Sequence, residues 1–297
     1  MNVLLQAIVN GVLYGGVIAL FSIGLTLIFG VMDIVNFAHG EYLMLSMYGS
    51  YALWKFFGVD PYVGIPIVAI AAYLFGIATE RSVIRPTINQ PVAIKIIVTL
   101  GISIILQNLA LVFFSPNTRV IHTWYKVESL HLGAIDINWG RLIAMAIALF
   151  MVIVLHTFLN RTKYGLAIRA TAQNREAAQL MGIRIYQVYT VTFGIGIALT
   201  SIAGVCLAAI YPFSPSVGMQ FVLIAFVVVV LGGLGSINGA LFAGMFIGVA
   251  HSIVGTYLDL TLAPPIYYAL FIVILVLRAM GYLEKLSYKM KSLKREG

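Results

Sequence analysis

Charge is what this sequence has least of: Asp, Glu, Lys and Arg make up only 9% of its 297 residues, against about 25% in ordinary soluble domains. So few charged side chains cannot cover a water-facing surface. The composition therefore excludes a soluble globular enzyme, a disordered protein, a coiled coil and a nucleic-acid-binding module. Cysteine is almost absent too. The single Cys206 lies inside an apolar run, which excludes a disulfide framework and a cysteine-based metal site.

Apolar residues are abundant, at 61% of the chain with a mean hydropathy of +1.01. The remaining class is a polytopic helical membrane protein, an all-α bundle forming one transmembrane domain over 1–297. One crossing needs about 20 apolar residues. Eight to ten spans are expected from nine candidate segments, at 3–31, 34–54, 61–79, 92–114, 142–159, 186–211, 219–234, 239–258 and 263–280.

The basic residues predict the direction of these spans. Most of the 18 lysines and arginines fall near 80–95, near 160–184 and after 278. Because basic residues accumulate on the cytoplasmic side of a membrane, we expect the N-terminus outside and the C-terminus in the cytoplasm. The net charge of +8 then reflects the orientation of the chain in the membrane, and no nucleic-acid partner is expected. The polar loop 115–141 would be external, either as a solvated connector or as a docking surface for an external partner.

A polar stripe runs through the segment 92–114. Lys95, Thr99, Ser103 and Gln107 recur every four residues, so they share one face of a helix. In lipid such groups need a protein or water partner. Thr99, Ser103 and Gln107 are therefore candidates for lining a transport pathway, and the alternative is interhelical hydrogen bonding that only holds helices together.

A second polar stretch, from Asp33 to Glu41, separates the first two apolar runs. Asn36, His39 and Glu41 would line the pathway if this stretch is a re-entrant turn, and would simply be hydrated if it is a cytoplasmic connector. No His-x-x-x-His or HExxH spacing occurs, so no metal site is expected. No Gly-x-Ser-x-Gly elbow or pair of intramembrane aspartates occurs either, so no catalytic residue is assigned.

Glycines cluster between the segments 219–234 and 239–258. No Lys-Ser or Lys-Thr follows them, which excludes a phosphate-binding P-loop. They predict either a break that creates half-helices at membrane depth or a tight cytoplasmic turn. The helix-breaking residues are Gly232, Gly233, Gly235 and Gly239.

The loop 160–184 contains the signals of a short helix. Asn174 is a good N-cap, Glu176 stands in the first turn where the helix dipole favours an anion, and Gly182 is a typical helix end. Residues 175–181 would form about two turns, roughly 10 Å long. This helix would either enter a groove on a cytoplasmic partner and transmit movement, or rest on anionic lipid.

These features together resemble a known family, the permease subunits of bacterial branched-chain amino acid ABC transporters of the LivH type. The resemblance covers nearly the whole chain. It rests on four runs, at 36–41, 101–108, 165–182 and 231–239. Related permeases for urea, short amides or other small organic acids look similar.

The resemblance implies a multi-pass subunit of the bacterial inner membrane that imports branched-chain amino acids and is not itself an enzyme. Its implied partners are the lipid bilayer, a second homologous permease, two cytoplasmic ATPases and an external substrate-binding protein. No cofactor is expected in this chain, because ATP and Mg would bind to the ATPase subunits. The segment Glu176-Ala177-Ala178, with Gly182 four residues on, looks like the EAA loop that docks the ATPase, although no Ile-x-Leu-Pro follows. The implied coupling residues are Arg169, Asn174, Glu176, Ala177, Ala178 and Gly182.

Rival functions predict different behaviour. A stand-alone secondary transporter would move substrate without an ATPase, and a membrane scaffold or receptor would move none. A proton-coupled transporter usually needs a carboxylate or histidine relay within the membrane, whereas the acidic residues here lie at the edges of the apolar segments. For an importer, we expect alternating access, with substrate selectivity mostly in the external binding protein.

Overall fold

A computed structural model describes residues 2–133, 135–258 and 262–279, and within them the chain forms twelve α-helices and one small β-hairpin. The helices are α1 Asn2–Met32, α2 His39–Phe57, α3 Pro61–Thr79, α4 Val92–Phe114, α5 Trp124–Val127, α6 Trp139–Arg161, α7 Lys163–Gln173, α8 Arg175–Leu180, α9 Ile185–Ile210, α10 Val217–Gly232, α11 Ile237–Tyr257 and α12 Ala263–Ala279. A π-helical turn, Glu80–Ile84, and a 3-10 turn, Arg85–Thr87, continue α3. The strands are β1 Ser129–Leu132 and β2 Ile135–Asn138.

Each of the nine predicted segments contains a helix, but the helices differ in length and apolarity. Among the described residues, six helical stretches are long and apolar enough to cross a membrane: α1, α3 with its two following turns, α4, α6, α9 and α11. Helix α10 has 16 residues, about 24 Å at 1.5 Å per residue, and a bilayer core is about 30 Å thick. The basic residues from Lys285 onward, which contributed to the predicted direction, lie outside the described residues.

Two helices form the centre of the bundle. In α1 and α9, 83% of the most apolar window is buried, whereas the corresponding windows of α3, α4, α6 and α11 are 22–33% buried. The outer helices turn large apolar side chains outward, as Val112 of α4 and Phe242 of α11 do. This is the inverse of a soluble protein, whose surface is rich in charge, and it suits a lipid solvent.

Glycine faces let the central helices touch backbone to backbone. A Cβ atom added at Gly248 of α11 would lie 2.3 Å from the Cα atom of Gly15 of α1, and one added at Gly24 of α1 would lie 2.5 Å from the carbonyl oxygen of Gly196 of α9. Atoms cannot approach so closely, so any larger residue must push the helices apart. The helix pairs α1–α11 and α1–α9 therefore depend on small residues, as membrane helix pairs often do.

The chain interrupts its helices at two places inside or beside the bundle. Asp33, with φ 52°, follows the end of α1, and residues 33–36 have no regular secondary structure before a turn at 37–38 leads into α2 at His39. The glycine cluster forms a turn at 233–236 between α10 and α11, where Gly233 and Gly235 have φ values of 94° and 82°. A Cβ atom on Gly239 would lie 1.8 Å from the Gly232 carbonyl oxygen, so only glycine permits this crossing.

Within the described residues of the polar loop 115–141, one short helix and two short strands form beside the helical bundle. They are α5 and the antiparallel hairpin, in which Leu130 pairs with Ile137. Asn138 caps α6 by accepting a hydrogen bond from the Arg141 N–H group at 3.2 Å. Since α6 connects this hairpin to α7 and α8, the two structures lie at opposite ends of the bundle, here called the hairpin end and the α8 end.

Candidate functional site

His39 fixes the first turn of α2 to the two central helices. The side chain is fully buried, and its Nε2 atom lies 3.1 Å from the Phe21 carbonyl oxygen and 2.8 Å from Thr200 Oγ1. The Thr200 hydroxyl also lies 2.9 Å from the Gly196 carbonyl oxygen, to which it donates. This pattern assigns the proton to His39 Nε2, which donates to both oxygens. The imidazole therefore joins α2 to α1 and α9.

Glu41, one half-turn further along α2, has a buried carboxylate. Its side chain is 1% exposed, and Ser103 donates to Oε1 at 3.3 Å, whereas Oε2 has no hydrogen-bond partner among the described residues. The carboxylate lies against the first turn of α10, because a Cβ atom on Gly218 would be 2.5 Å from Oε2. Gly40 meets the same turn through the Gly218 carbonyl oxygen.

Asn36 completes the polar bend. It is fully buried, and its Oδ1 atom accepts a hydrogen bond from the Ala38 N–H group at 3.2 Å, which shapes the turn that precedes α2. The Asn36 Nδ2 and His39 Nδ1 atoms have no partner within the described part of the chain. Buried polar atoms without partners are uncommon, so this cluster is a candidate for a site that completes its hydrogen bonds with a ligand or water.

Part of the polar stripe of α4 meets this bend. Thr99 Oγ1 lies 3.1 Å from the Val35 carbonyl oxygen, Ser103 reaches Glu41, and Lys95 is buried on the same face. Gln107 is only half-buried, and no hydrogen bond to it is described. The tertiary structure thus brings together Asn36, His39, Glu41, Thr99 and Ser103, and it leaves Gln107 one turn beyond them.

The short helix α8 is capped as its sequence predicts. Asn174 Oδ1 accepts from the Ala177 N–H group at 2.9 Å, and Gly182, with φ 81°, ends the turn by donating to the Gln179 carbonyl oxygen at 3.0 Å. Ala178 packs inward, whereas Glu176 and Ala177 face outward. Arg169 is exposed on α7, and no contact between it and α8 is described.

Two large apolar side chains stand out at the end of α8. Leu180 is 88% exposed and Met181 is 84% exposed, beyond the helices long enough to span a membrane. Adjacent exposed apolar side chains of this kind typically mark a contact with another protein or with a membrane. They give α8 an apolar tip on a polar, capped stem.

Sequence reasoning missed the contacts that hold α8 in place. Arg175 donates to Asn89 Oδ1 at 3.3 Å, and its guanidinium lies 5.5 Å from the centre of the Tyr189 ring. Nearby, the fully buried Glu80 receives two hydrogen bonds from Arg85, at 3.2 and 2.8 Å, and one from Thr190 at 2.9 Å. The sequence signal was the five-residue spacing of Glu80 and Arg85, which the π-helical turn places side by side.

A polar cavity of about 370 Å³ opens at the hairpin end. Its lining includes Gln6, Lys126, Asp136, Asn138, Arg141 and Tyr211. The Lys126 Nζ atom is buried, no hydrogen bond to it is described, and burial lowers the pKa of this lysine. Within the described ranges, no three His, Cys, Asp or Glu side chains lie close enough together to hold a metal ion.

Comparison with known proteins places these features in one family. A family model described as the permease component of branched-chain amino acid transport systems matches residues 7–280. The high-affinity branched-chain amino acid transport system permease protein LivH of Salmonella typhimurium is 32% identical over 95% of this chain and 96% of its own length. The corresponding protein BraD of Pseudomonas aeruginosa is 30% identical over the same shares.

More distant relatives extend the same pattern. A probable LivH of Methanocaldococcus jannaschii is 27% identical over 84% of this chain and 80% of its own length. No solved structure gives a significant match. With its six long apolar helices and a family match over almost its full length, the chain is a multi-pass membrane protein and belongs to the family of branched-chain amino acid transport permeases, the non-catalytic membrane subunits of ABC transporters.

Proposed function

We propose that this chain, as a single transmembrane domain of a bacterial inner membrane, forms half of the translocation unit of an ATP-driven importer for branched-chain amino acids. A second homologous permease would complete the unit, two cytoplasmic ATPases would drive it and an external protein would deliver substrate. The observation that carries the proposal is α8, a rigidly held helix with an exposed apolar tip. ATP itself would bind to partners, since the sequence contains no P-loop.

In this proposal α8 faces the cytoplasm and the hairpin end faces outside. The basic residues near 80–95 and 160–184 lie at the α8 end, and such residues favour the cytoplasmic side. The two strands, with α5 and the polar cavity, would then be the docking surface for the binding protein. Arg175, Asn89 and the Glu80–Arg85–Thr190 group would pass a movement of α8 to α9 and to the end of α3.

The pathway would run along the polar bend. Asn36, His39 and Glu41, together with Thr99 and Ser103 of α4, form one cluster of buried polar groups. Buried polar groups are costly in a membrane unless they have hydrogen-bond partners, and they often mark a substrate or ion pathway. ATP-driven closure at the α8 end and binding-protein release at the hairpin end would favour different arrangements of α2, α4 and α10 around this bend.

Reconstitution with the genomic neighbours of the gene tests the proposal. Proteoliposomes containing the chain, its homologous permease and the neighbouring P-loop ATPases should accumulate radiolabelled leucine only with ATP inside and binding protein outside. Urea and acetamide should not compete, because a branched apolar side chain is the expected recognition feature. Accumulation without any ATPase would identify a secondary transporter, and failure to co-purify with an ATPase would contradict the proposal.

A further inference from the structure

The Glu41 carboxyl group is buried, and no salt-bridge partner for it lies among the described residues. The ion pairs described in the structure are Glu80 with Arg85 and Asp136 with His131, and neither involves Glu41. One oxygen of Glu41 accepts a single hydrogen bond from Ser103, at 3.3 Å, and the other accepts none. A buried carboxylate is stable only when it is paired with a cation or well hydrogen-bonded. Glu41 therefore still requires a hydrogen-bond donor or a cation at Oε2.

Within the part of the chain that the structure describes, no lysine, arginine or histidine forms an ion pair with Glu41. Lys95 lies on the same face of α4 as Ser103 but eight residues earlier, about 12 Å along the helix axis. His39 uses its Nε2 atom for Phe21 and Thr200. Helix α10, which covers the carboxylate, contains no charged residue. The positive end of its dipole, worth about half a charge, favours an anion here without neutralising it.

The contact between α10 and Glu41 can open without breaking a side-chain hydrogen bond. Glu41 Oε2 faces the backbone of Gly218, and Gly40 faces the carbonyl oxygen of the same residue. Neither glycine interposes a side chain between α2 and α10. A small separation of these two helices would therefore expose an unpaired carboxylate oxygen inside the bundle.

We propose that Glu41 binds the α-ammonium group of the amino acid substrate as it passes through the permease. This inference rests on the proposed function and adds the residue that recognises the charged end of the substrate. An ammonium group brings one positive charge and three N–H donors, which are what the free Oε2 atom lacks. When α10 closes again, the ammonium leaves, and the carboxylate returns to Gly218 and Ser103.

Two substitutions separate charge from shape. Glu41→Gln keeps the size of the side chain and mimics a protonated carboxyl, whereas Ser103→Ala removes the hydrogen bond to Oε1 and keeps the charge. In proteoliposomes with the ATPases and the binding protein, we expect Glu41→Gln to lower leucine uptake at least about tenfold, because the amide carries no charge to attract the ammonium group. Ser103→Ala should lower it less than about threefold.

An analogue without the amino group identifies what the carboxylate recognises. Wild-type transporter should take up leucine in preference to 2-hydroxy-4-methylpentanoate, and this preference should fall several-fold in Glu41→Gln. Because both transporters use the same binding protein, the discrimination by that protein cancels from the comparison. If Glu41→Gln weakens assembly, Glu41→Asp takes its place, because it keeps the charge but places it further from the substrate. The ratio of leucine uptake to hydroxy-acid uptake should then be lower in Glu41→Asp than in wild type.

Each outcome of these experiments either supports or overturns the role of Glu41. Glu41→Gln uptake equal to wild type, or an unchanged preference for leucine over the hydroxy acid in every assembled variant, would overturn the role of Glu41 while the importer assignment stands. Absence of ATP-dependent uptake by the wild-type complex would instead overturn the proposed function.

Discussion

The side-chain amide of Gln6 pairs with the backbone of Asp136 as a neighbouring strand would. Gln6 Nε2 donates to the Asp136 carbonyl oxygen at 2.6 Å, and the Asp136 N–H group donates to Gln6 Oε1 at 2.8 Å. Residues 130 positions apart are thereby joined, and the first turns of α1 hold the edge of β2. The hairpin is therefore attached to the central helix of the bundle.

Gln6→Ala should loosen the hairpin. Each neutral hydrogen bond contributes about 1 kcal/mol, so the loss of both should raise the hydrogen-exchange rate of the Asp136 amide at least about tenfold, with little change at α9. Hydrogen exchange with mass spectrometry measures this. Asn10→Ala, one turn further along α1, is the matched control. Equal protection of 129–138 in Gln6→Ala and wild type would contradict the pairing.

His39 and Thr200 should be coupled energetically. His39→Phe keeps a ring against Phe21 but removes the donor, and we expect it to destabilise the protein by about 1–3 kcal/mol. Thr200→Val should cost less after His39→Phe than in the wild type, because the shared hydrogen bond is already gone. Thermal unfolding of the two single variants and the double variant in detergent measures the coupling. Additive effects would show that Nε2 does not donate to Thr200.

Leu180→Asp should weaken attachment of the ATPase without unfolding the permease. The side chain is 88% exposed, so the substitution should change stability by less than about 0.5 kcal/mol. An apolar anchor at the centre of an interface is worth about 2 kcal/mol or more, which predicts at least a tenfold-weaker complex in a binding titration. Gln179→Asp, its exposed neighbour, controls for added charge. If Leu180→Asp and wild type bind the ATPase with equal affinity, the apolar tip of α8 is not part of the interface.

Lys126 should make stability depend on pH at the hairpin end. Because burial lowers its pKa in the folded protein, the unfolded chain binds more protons between the lowered and the ordinary value, and stability rises with pH through that window. Lys126→Met should therefore have a higher Tm than wild type at neutral pH. The difference should shrink as pH approaches about 10.4, the ordinary pKa of lysine. Lys163→Met, which removes an exposed lysine at the α8 end, is the control for the loss of one positive charge.

The sequence was sufficient to predict the elements that are determined by residues close together in the chain. Helix α8 is found at Arg175–Leu180, against the predicted 175–181, because a cap at Asn174 and a left-handed glycine at 182 act within a few residues. The hairpin at 129–138 was not predicted, because its strands are only four residues long and its attachment to Gln6 spans 130 residues. Short strands carry little periodic signal of their own.

The sequence by itself determined that this protein lies in a lipid bilayer, where its helices fall along the chain and which residues make up its polar bend. The reason is that hydropathy, glycine spacing and helix caps are properties of neighbouring residues. Only the tertiary structure decided which polar groups meet. It brought Ser103 and Gly218 to Glu41, and Thr200 to His39, and it left Gln107 outside. The physical reason is that a helix face specifies what needs a partner, whereas the packing of α2, α4, α9 and α10 selects that partner.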